Sequence, residues 1–126
     1  MPRILLVDDD RDILDIMRLD LEDDPENSVD TTNVAAEAIE KVRKQPYDVI
    51  ISDWRMPGMN GTELIRNLRN DGCPSYIILY SGYTLNTQIR SALDCGADYY
   101  LHRGGDPDQE FAELRRVIGT ITKKKT

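Results

Sequence analysis

Five times along 126 residues, a short strand-like run is followed by a segment of helical periodicity, and the joints between them are short. Strands that alternate with helices must run parallel, because each crossover has to be right-handed and has to bury its helix against the sheet. The expected architecture is therefore a doubly wound α/β sandwich of (βα)5 form, a five-stranded parallel sheet covered on both faces. No internal repeat or low-complexity segment interrupts the pattern.

The elements read as follows. Arg3 to Val7 is β1, and Asp10 caps a helix α1 that carries Ile13, Leu14, Met17 and Leu21 on one face and stops near Asp23, Asp24 and Pro25. Ser28 to Thr32 is β2, polar enough to belong at the sheet edge. Asn33 is expected to cap α2, whose apolar side is Ala35, Ala38, Ile39 and Val42 and which ends before Pro46. Val49 to Ser52 is β3. Asn60 to Glu63 has capping-box spacing and opens α3, with Leu64, Ile65 and Leu68 inward and Gly72 closing it. Tyr76 to Tyr80 is β4, too apolar to be anything but central. A helix α4 is predicted from about Leu85, with Ile89, Ala92 and Leu93 at helical spacing, until Gly96 stops it. Tyr99 to Leu101 is β5, and Asp106 with Pro107 starts α5, bearing Phe111, Leu114, Ile118 and Ile121.

Within this frame the segment VIISDWRMPGMNG, Val49 to Gly61, stands out. A buried parallel strand ends in Ser52 and Asp53 and breaks into a loop holding Pro57, Gly58 and Gly61. Open α/β sheets bind their ligands at that C-terminal edge. A lone Asp there is more often an ordinary turn former. However, β1 ends in the same way, in Asp8, Asp9 and Asp10. Carboxylates on two adjacent strand ends would repel strongly in a partly desolvated crevice, and a divalent cation relieves that repulsion.

Charge narrows the function classes. The formal net charge is −7, with 16 basic against 23 acidic residues, and would be −10 without the terminal Lys123, Lys124 and Lys125. That balance disfavours direct nucleic-acid binding. With 31% charged and 40% hydrophobic residues the chain has the composition of a soluble globular protein. No apolar run approaches membrane-spanning length and MPRILLVDDD lacks a signal-peptide core, so no membrane association and a cytoplasmic location are expected. Cys73 and Cys95 fit no metal spacing and are expected as free thiols. Residues 1–122 read as the folded unit, and 123–126 as a basic tail, the start of a linker to further domains.

With these motifs in hand, the chain resembles a response regulator receiver domain of the chemotaxis response regulator-like superfamily. Four motifs carry the resemblance over nearly the whole chain, in the family's order: the acid pair after β1, SDWRMPGMNG, YSGY, and GADYYL. The resemblance, not the periodicity, implies a flavodoxin-like sheet of strand order 2-1-3-4-5. It implies a two-component phosphorelay in which Asp53 accepts a phosphoryl group from a sensor histidine kinase or phosphotransfer protein, or from a small acyl phosphate, giving an aspartyl phosphate. It implies Mg2+ as cofactor, ligated directly by Asp9, Asp53 and the backbone carbonyl of Arg55, with Asp8 acting through a water. Asp10 is assigned to the helix cap. Ser81 would donate to a phosphoryl oxygen, Trp54 and Gly82 would offer backbone contacts to it, and Ser81 with Tyr100 would form the switch. The output would pass to a downstream protein or fused domain through the face formed by α4, β5 and α5, and a weak homodimer fits the same picture. The chain would act on itself, by phosphoryl transfer and autodephosphorylation, and not as an enzyme on other substrates.

The sequence departs from the family after β5, where Lys followed by Pro is usual and this chain has Arg103, Gly104 and Gly105. Arg103 keeps the positive charge but is longer, planar and forked. Loss of the proline removes the cis peptide often found there, and two glycines loosen the loop. Arg55 and Tyr83 are bulky neighbours expected to shield the acyl phosphate from water, giving a slowly hydrolysing form. The lone His102 is expected in solvent. Two alternatives stand beside the main reading. One is a pseudo-receiver, an interaction module that signals without phosphorylation. The other is a haloacid dehalogenase-type phosphatase with Asp8 as nucleophile, suggested by the Asp, any residue, Asp spacing of Asp8 and Asp10. Such an enzyme would also want a lysine and another acid pair after later strands, and neither follows those strands here.

Overall fold

Ile4 to Val7, Val49 to Ser52 and Ile77 to Ser81 are all buried, because the strands they form lie inside a sheet with helices packed on each side. The computed structural model describes residues 2–54, 56, 58–82, 94 and 96–124, with side chains as far as 121. Its elements are β1 (Arg3–Val7), α1 (Arg11–Glu22), β2 (Ser28–Thr32), α2 (Ala35–Lys44), β3 (Val49–Ser52), α3 (Gly61–Asn70), β4 (Tyr76–Ser81), β5 (Tyr99–His102) and α5 (Pro107–Lys124). All five strands are parallel in the order β2-β1-β3-β4-β5, as expected. The predicted α4 falls almost wholly on residues outside those described, leaving only Asp94, which is helical, and the turn at Gly96.

Alternation along the strands divides the core in two. Leu5, Val7, Ile50, Ile77 and Leu79 face α2 and α3, where they meet Ala38, Leu64, Ile65 and Leu68. Ile4, Leu6, Val49, Ile51, Ile78 and Tyr80 face α1 and α5, where they meet Leu14, Met17, Leu21, Phe111 and Leu114. Each fully buried Leu or Ile contributes roughly 1.5–3 kcal/mol of transfer free energy, so both faces of the sheet are anchored.

Most of the local signals hold. Asp10 accepts from the amides of Asp12 and Ile13 at the start of α1. Asn60 and Glu63 form the reciprocal capping box of α3. Asp106 accepts from the amide of Asp108 in the first turn of α5. Gly72, at φ 84°, turns the chain out of α3. The cap of α2 is a correction: Val34, not Asn33, stands at that position and no side chain caps the helix. The reason is local, since the Thr32 hydroxyl at the end of β2 takes the Val34 amide at 3.2 Å and the helix starts one residue later. At the other end of the chain α5 runs through Lys123 and Lys124, consistent with the good helix propensity of lysine, so the expected basic tail begins inside the helix.

Candidate functional site, an acidic crevice at the C-terminal edge of the sheet

Strand order decides which loops meet. Because β1 pairs with β3, with Val7 opposite Ser52, the residues that follow each strand emerge side by side. Oxygen atoms of Asp8, Asp9 and Asp53 all lie within 4.8 Å of one another. Asp8 is buried, Asp9 exposed and Asp53 between the two. Asp10 turns away to cap α1, while its amide donates to Asp8 Oδ1 at 2.9 Å. With Asp10 so used, the Asp8 and Asp10 pair required for a dehalogenase-type site does not form.

Asp53 is held by its surroundings. Its Oδ1 accepts from the Trp54 amide at 2.7 Å, and its carboxylate also accepts from the Ser81 hydroxyl. Ser81 ends β4 next to β3 and is buried. Burial pushes the Asp53 carboxyl above its ordinary range, and Asp9 adds to that effect; the Arg103 charge, the Trp54 amide and Ser81 oppose it. Asp8 is likewise pushed up by burial, against the pull of the Asp10 amide and of Arg103. Both shifts reflect carboxylates crowded where water is scarce.

Arg103, at the position where the family usually has lysine, reaches the crevice. Its Nη2 donates to Asp8 Oδ2 at 2.6 Å and to the Tyr80 carbonyl at 3.2 Å. Burial disfavours the guanidinium charge, but the bond to Asp8 and the charges of Asp8 and Asp53 outweigh it and hold the group above its ordinary range. Tyr100 is half-buried on the α3 side of the sheet, and its hydroxyl donates to the Ser81 carbonyl at 3.4 Å. Gly82 is exposed just beyond β4, and His102 is exposed as expected. Arg55 and Tyr83, expected as a metal-ligating carbonyl and as shields, lie outside the described residues, as does Cys95; Cys73 is a buried free thiol.

Gly61, Tyr80 and Glu110 shape the site in ways that the sequence does not reveal directly. Gly61 packs so closely behind Asp53 that a Cβ there would come within 2.5 Å of the Asp53 carbonyl oxygen and 2.9 Å of the Trp54 Cα. Its role in closing the loop shows only in three dimensions. Tyr80 lies beneath the guanidinium, whose carbon is 4.5 Å from the ring centroid. Glu110, buried on α5, accepts from the Tyr80 hydroxyl. A signal for Glu110 was present: it sits four residues before Leu114, on the apolar stripe of α5, where an acid needs a partner.

A larger cleft of about 430 Å³, lined by Val42, Arg43, Pro46, Tyr47, Cys73 and Pro74, opens at the other edge of the sheet. It gathers no comparable set of acids. No helix among the described residues is long and apolar enough to cross a membrane.

Comparison with known proteins agrees with this geometry. Residues 4–115 match the family model of the response regulator receiver domain. The chain is 30% identical over 118 residues to the response regulator ArlR of Staphylococcus haemolyticus, covering 94% of this chain and 53% of that protein. It thus spans about half the length of the curated relatives it matches. Among solved structures it is similar to the receiver domain of the Francisella response regulator 1452, at TM-score 0.89, 25% identity and full coverage of both chains. It is also similar to the chemotaxis response regulator CheY4 of Vibrio cholerae, at TM-score 0.83 and 29% identity, covering 93% of this chain and 98% of that one. A parallel sheet of this order, the acids gathered at its C-terminal edge and a family match over most of the length lead to one assignment: the chain belongs to the response regulator receiver domains of two-component systems.

Proposed function

We propose that the chain is a phosphorylatable receiver whose acceptor is Asp53. The observation that carries this reading is the convergence of Asp8, Asp9 and Asp53 with a serine hydroxyl on the middle carboxylate and a cation on its neighbour. A carboxylate oxygen of Asp53 attacks the phosphorus of a phosphohistidine on a partner kinase or phosphotransfer protein. The P–N bond breaks, its electron pair stays with the imidazole, and an acyl phosphate remains on Asp53. The protein then has to align donor and acceptor and balance the charge of the phosphoryl oxygens. Ser81 supplies a hydroxyl donor and Arg103 a positive charge. The chain turns over no external substrate in this reading, and its location is cytoplasmic.

The donor set suits Mg2+, since it consists of hard carboxylate oxygens within 4.8 Å of one another, and the charge of Asp9 adds to the burial that raises the Asp53 carboxyl. Asp9 and Asp53 would hold the ion, with the Arg55 carbonyl, and Asp8 would act through water. When bound, the ion supplies positive charge to the transferring group and orients it. Switching would follow from Ser81 and Tyr100, which already share a hydrogen bond, and would be read by a downstream protein or fused domain at the β5 and α5 surface.

The test is phosphate uptake from acetyl phosphate with Mg2+, followed by intact mass. The chain should gain one phosphoryl group, and Asp53→Asn should gain none. Uptake that persists in Asp53→Asn rules out this acceptor. Trp54 gives a second readout, because its amide bonds Asp53 and its indole N–H bonds Thr62 at 2.8 Å. Mg2+ and then beryllium fluoride should each change its fluorescence. The Arg103 guanidinium already bonded to Asp8 favours one other reading, a pseudo-receiver in which an internal cation takes the place of the metal. A fluorescence response to neither reagent supports it.

A further inference from the structure

Arg103 stands where the family usually has lysine followed by proline, and here two glycines follow it. After β5 the chain continues through Gly104 and Gly105, whose amides donate to Glu110 Oε2 at 3.2 and 2.8 Å. A proline at position 104 has no N–H to give. The other oxygen of the same carboxylate accepts from the Tyr80 hydroxyl. Tyr80 lies on β4 with its ring edge-on to Phe111 of α5, centroids 6.5 Å apart, and its face under the guanidinium. Glu110 is 9% exposed and Tyr80 3%, so neither bond competes with bulk water.

The guanidinium has few other supports. Its Nη2 meets Asp8 and the Tyr80 carbonyl, whereas its Nε is buried without a hydrogen-bond partner. A long side chain with an unpaired donor stays in one pose only if something else fixes it. The Tyr80 ring face does so from below, and the backbone from behind, through the Arg103 amide bonded to the Ser81 carbonyl at 2.8 Å and the two glycine amides on Glu110. One carboxylate on α5 therefore orders both the ring that carries the cation and the loop that delivers it.

We propose that Glu110 and Tyr80 are positioning residues that hold Arg103 over the acidic crevice, in place of the compact lysine usual in the family. The placement stands on the fold alone. Its consequence for phosphate uptake rests on the reading of Asp53 as acceptor, and the two are tested separately.

The first measurement needs no phosphate. The Nε–Hε resonance of Arg103, identified by its loss in Arg103→Ala, should be shifted upfield by the Tyr80 ring and should move toward that of a solvent-exposed arginine in Glu110→Ala. Tyr80→Phe keeps the ring and removes only the hydroxyl; it should move the resonance the same way by less, and it serves if Glu110→Ala fails to fold. An Arg103 resonance unchanged in the folded variants overturns the inference. The second measurement is the rate of uptake from acetyl phosphate with Mg2+. Glu110→Ala should slow it about tenfold in the natural chain and change it less than about twofold in an Arg103→Ala background, because a positioning residue acts only through the group it positions. Equal slowing in both backgrounds points to a general structural role and overturns the inference. If the natural chain takes up no phosphate at all, the acceptor reading fails, and the resonance alone decides the placement of Arg103.

Discussion

At the scale of single residues the site is held against its own charge. Burial and then Asp9 keep the Asp53 carboxyl above its unfolded value near 3.8. A raised carboxyl pKa means that the folded chain binds a proton more readily than the unfolded one, so this group's contribution to stability is fullest below that value and is lost as pH rises through the folded pKa. Asp53→Asn, uncharged throughout, should therefore melt higher than the natural chain at pH 7. The gap should close as both are taken down through the folded pKa toward 3.8. Melting curves across that range check this; an Asn variant that melts lower at neutral pH contradicts it. The same reasoning explains why a neighbouring cation matters: Arg103 is the only described basic group bonded to one of the three acids, and it sits on the most buried of them.

Among the elements, the loop between β3 and α3 does most to shape the crevice. Gly61 donates to the Trp54 carbonyl and begins α3 while pressed against the backbone of Asp53 and Trp54. The two nearest neighbours of an added Cβ are main-chain atoms that cannot swing aside. Gly61→Ala should cost about 1–3 kcal/mol by overpacking and should shift Trp54 emission, because the loop must move as a piece. Chemical denaturation monitored by that emission gives both numbers, and an unchanged midpoint with unchanged emission would show that the loop yields freely. In the last turn of α3, Arg69 bonds the carbonyls of Cys73, Ser75 and Gly96 and the Asp98 carboxylate, so one side chain ties together the entries to β4 and β5.

For the whole molecule, Asp8 and Asp53, whose ionisation burial opposes, would become stabilisers of the fold if a cation bound between them. A ligand that binds only the folded state adds RT ln(1 + [L]/Kd), about 2.7 kcal/mol at a hundred times Kd. Titrating Mg2+ should raise the melting temperature progressively, a chelator should reverse it, and Asp9→Asn should remove most of the gain. A melting temperature indifferent to Mg2+ in the natural chain contradicts a cation site built on Asp9 and Asp53. The net charge of −7 makes a general salt effect the control, so the same titration with a monovalent salt at matched ionic strength separates screening from binding.

Sequence alone was enough for what is encoded within a few residues. The period of the apolar pattern marked each strand, the Asp10, Asn60 and Asp106 caps marked helix starts, and two acidic strand ends marked the site. It misjudged the start of α2, where Asn33 and Thr32 are both competent hydrogen-bond formers and the backbone conformation decides between them. Strand count followed from periodicity, but strand order did not, and it came instead through the family resemblance; order is what sets Asp8 beside Asp53. Tertiary structure alone decided how Arg103 is used. Its partner Asp8 is 95 residues away, and the Tyr80 and Glu110 that steady it belong to a strand and a helix whose packing no local pattern records. Short-range periodicity specifies which face of an element is buried, whereas the meeting of particular side chains depends on crossovers that bring distant segments to one edge of the sheet.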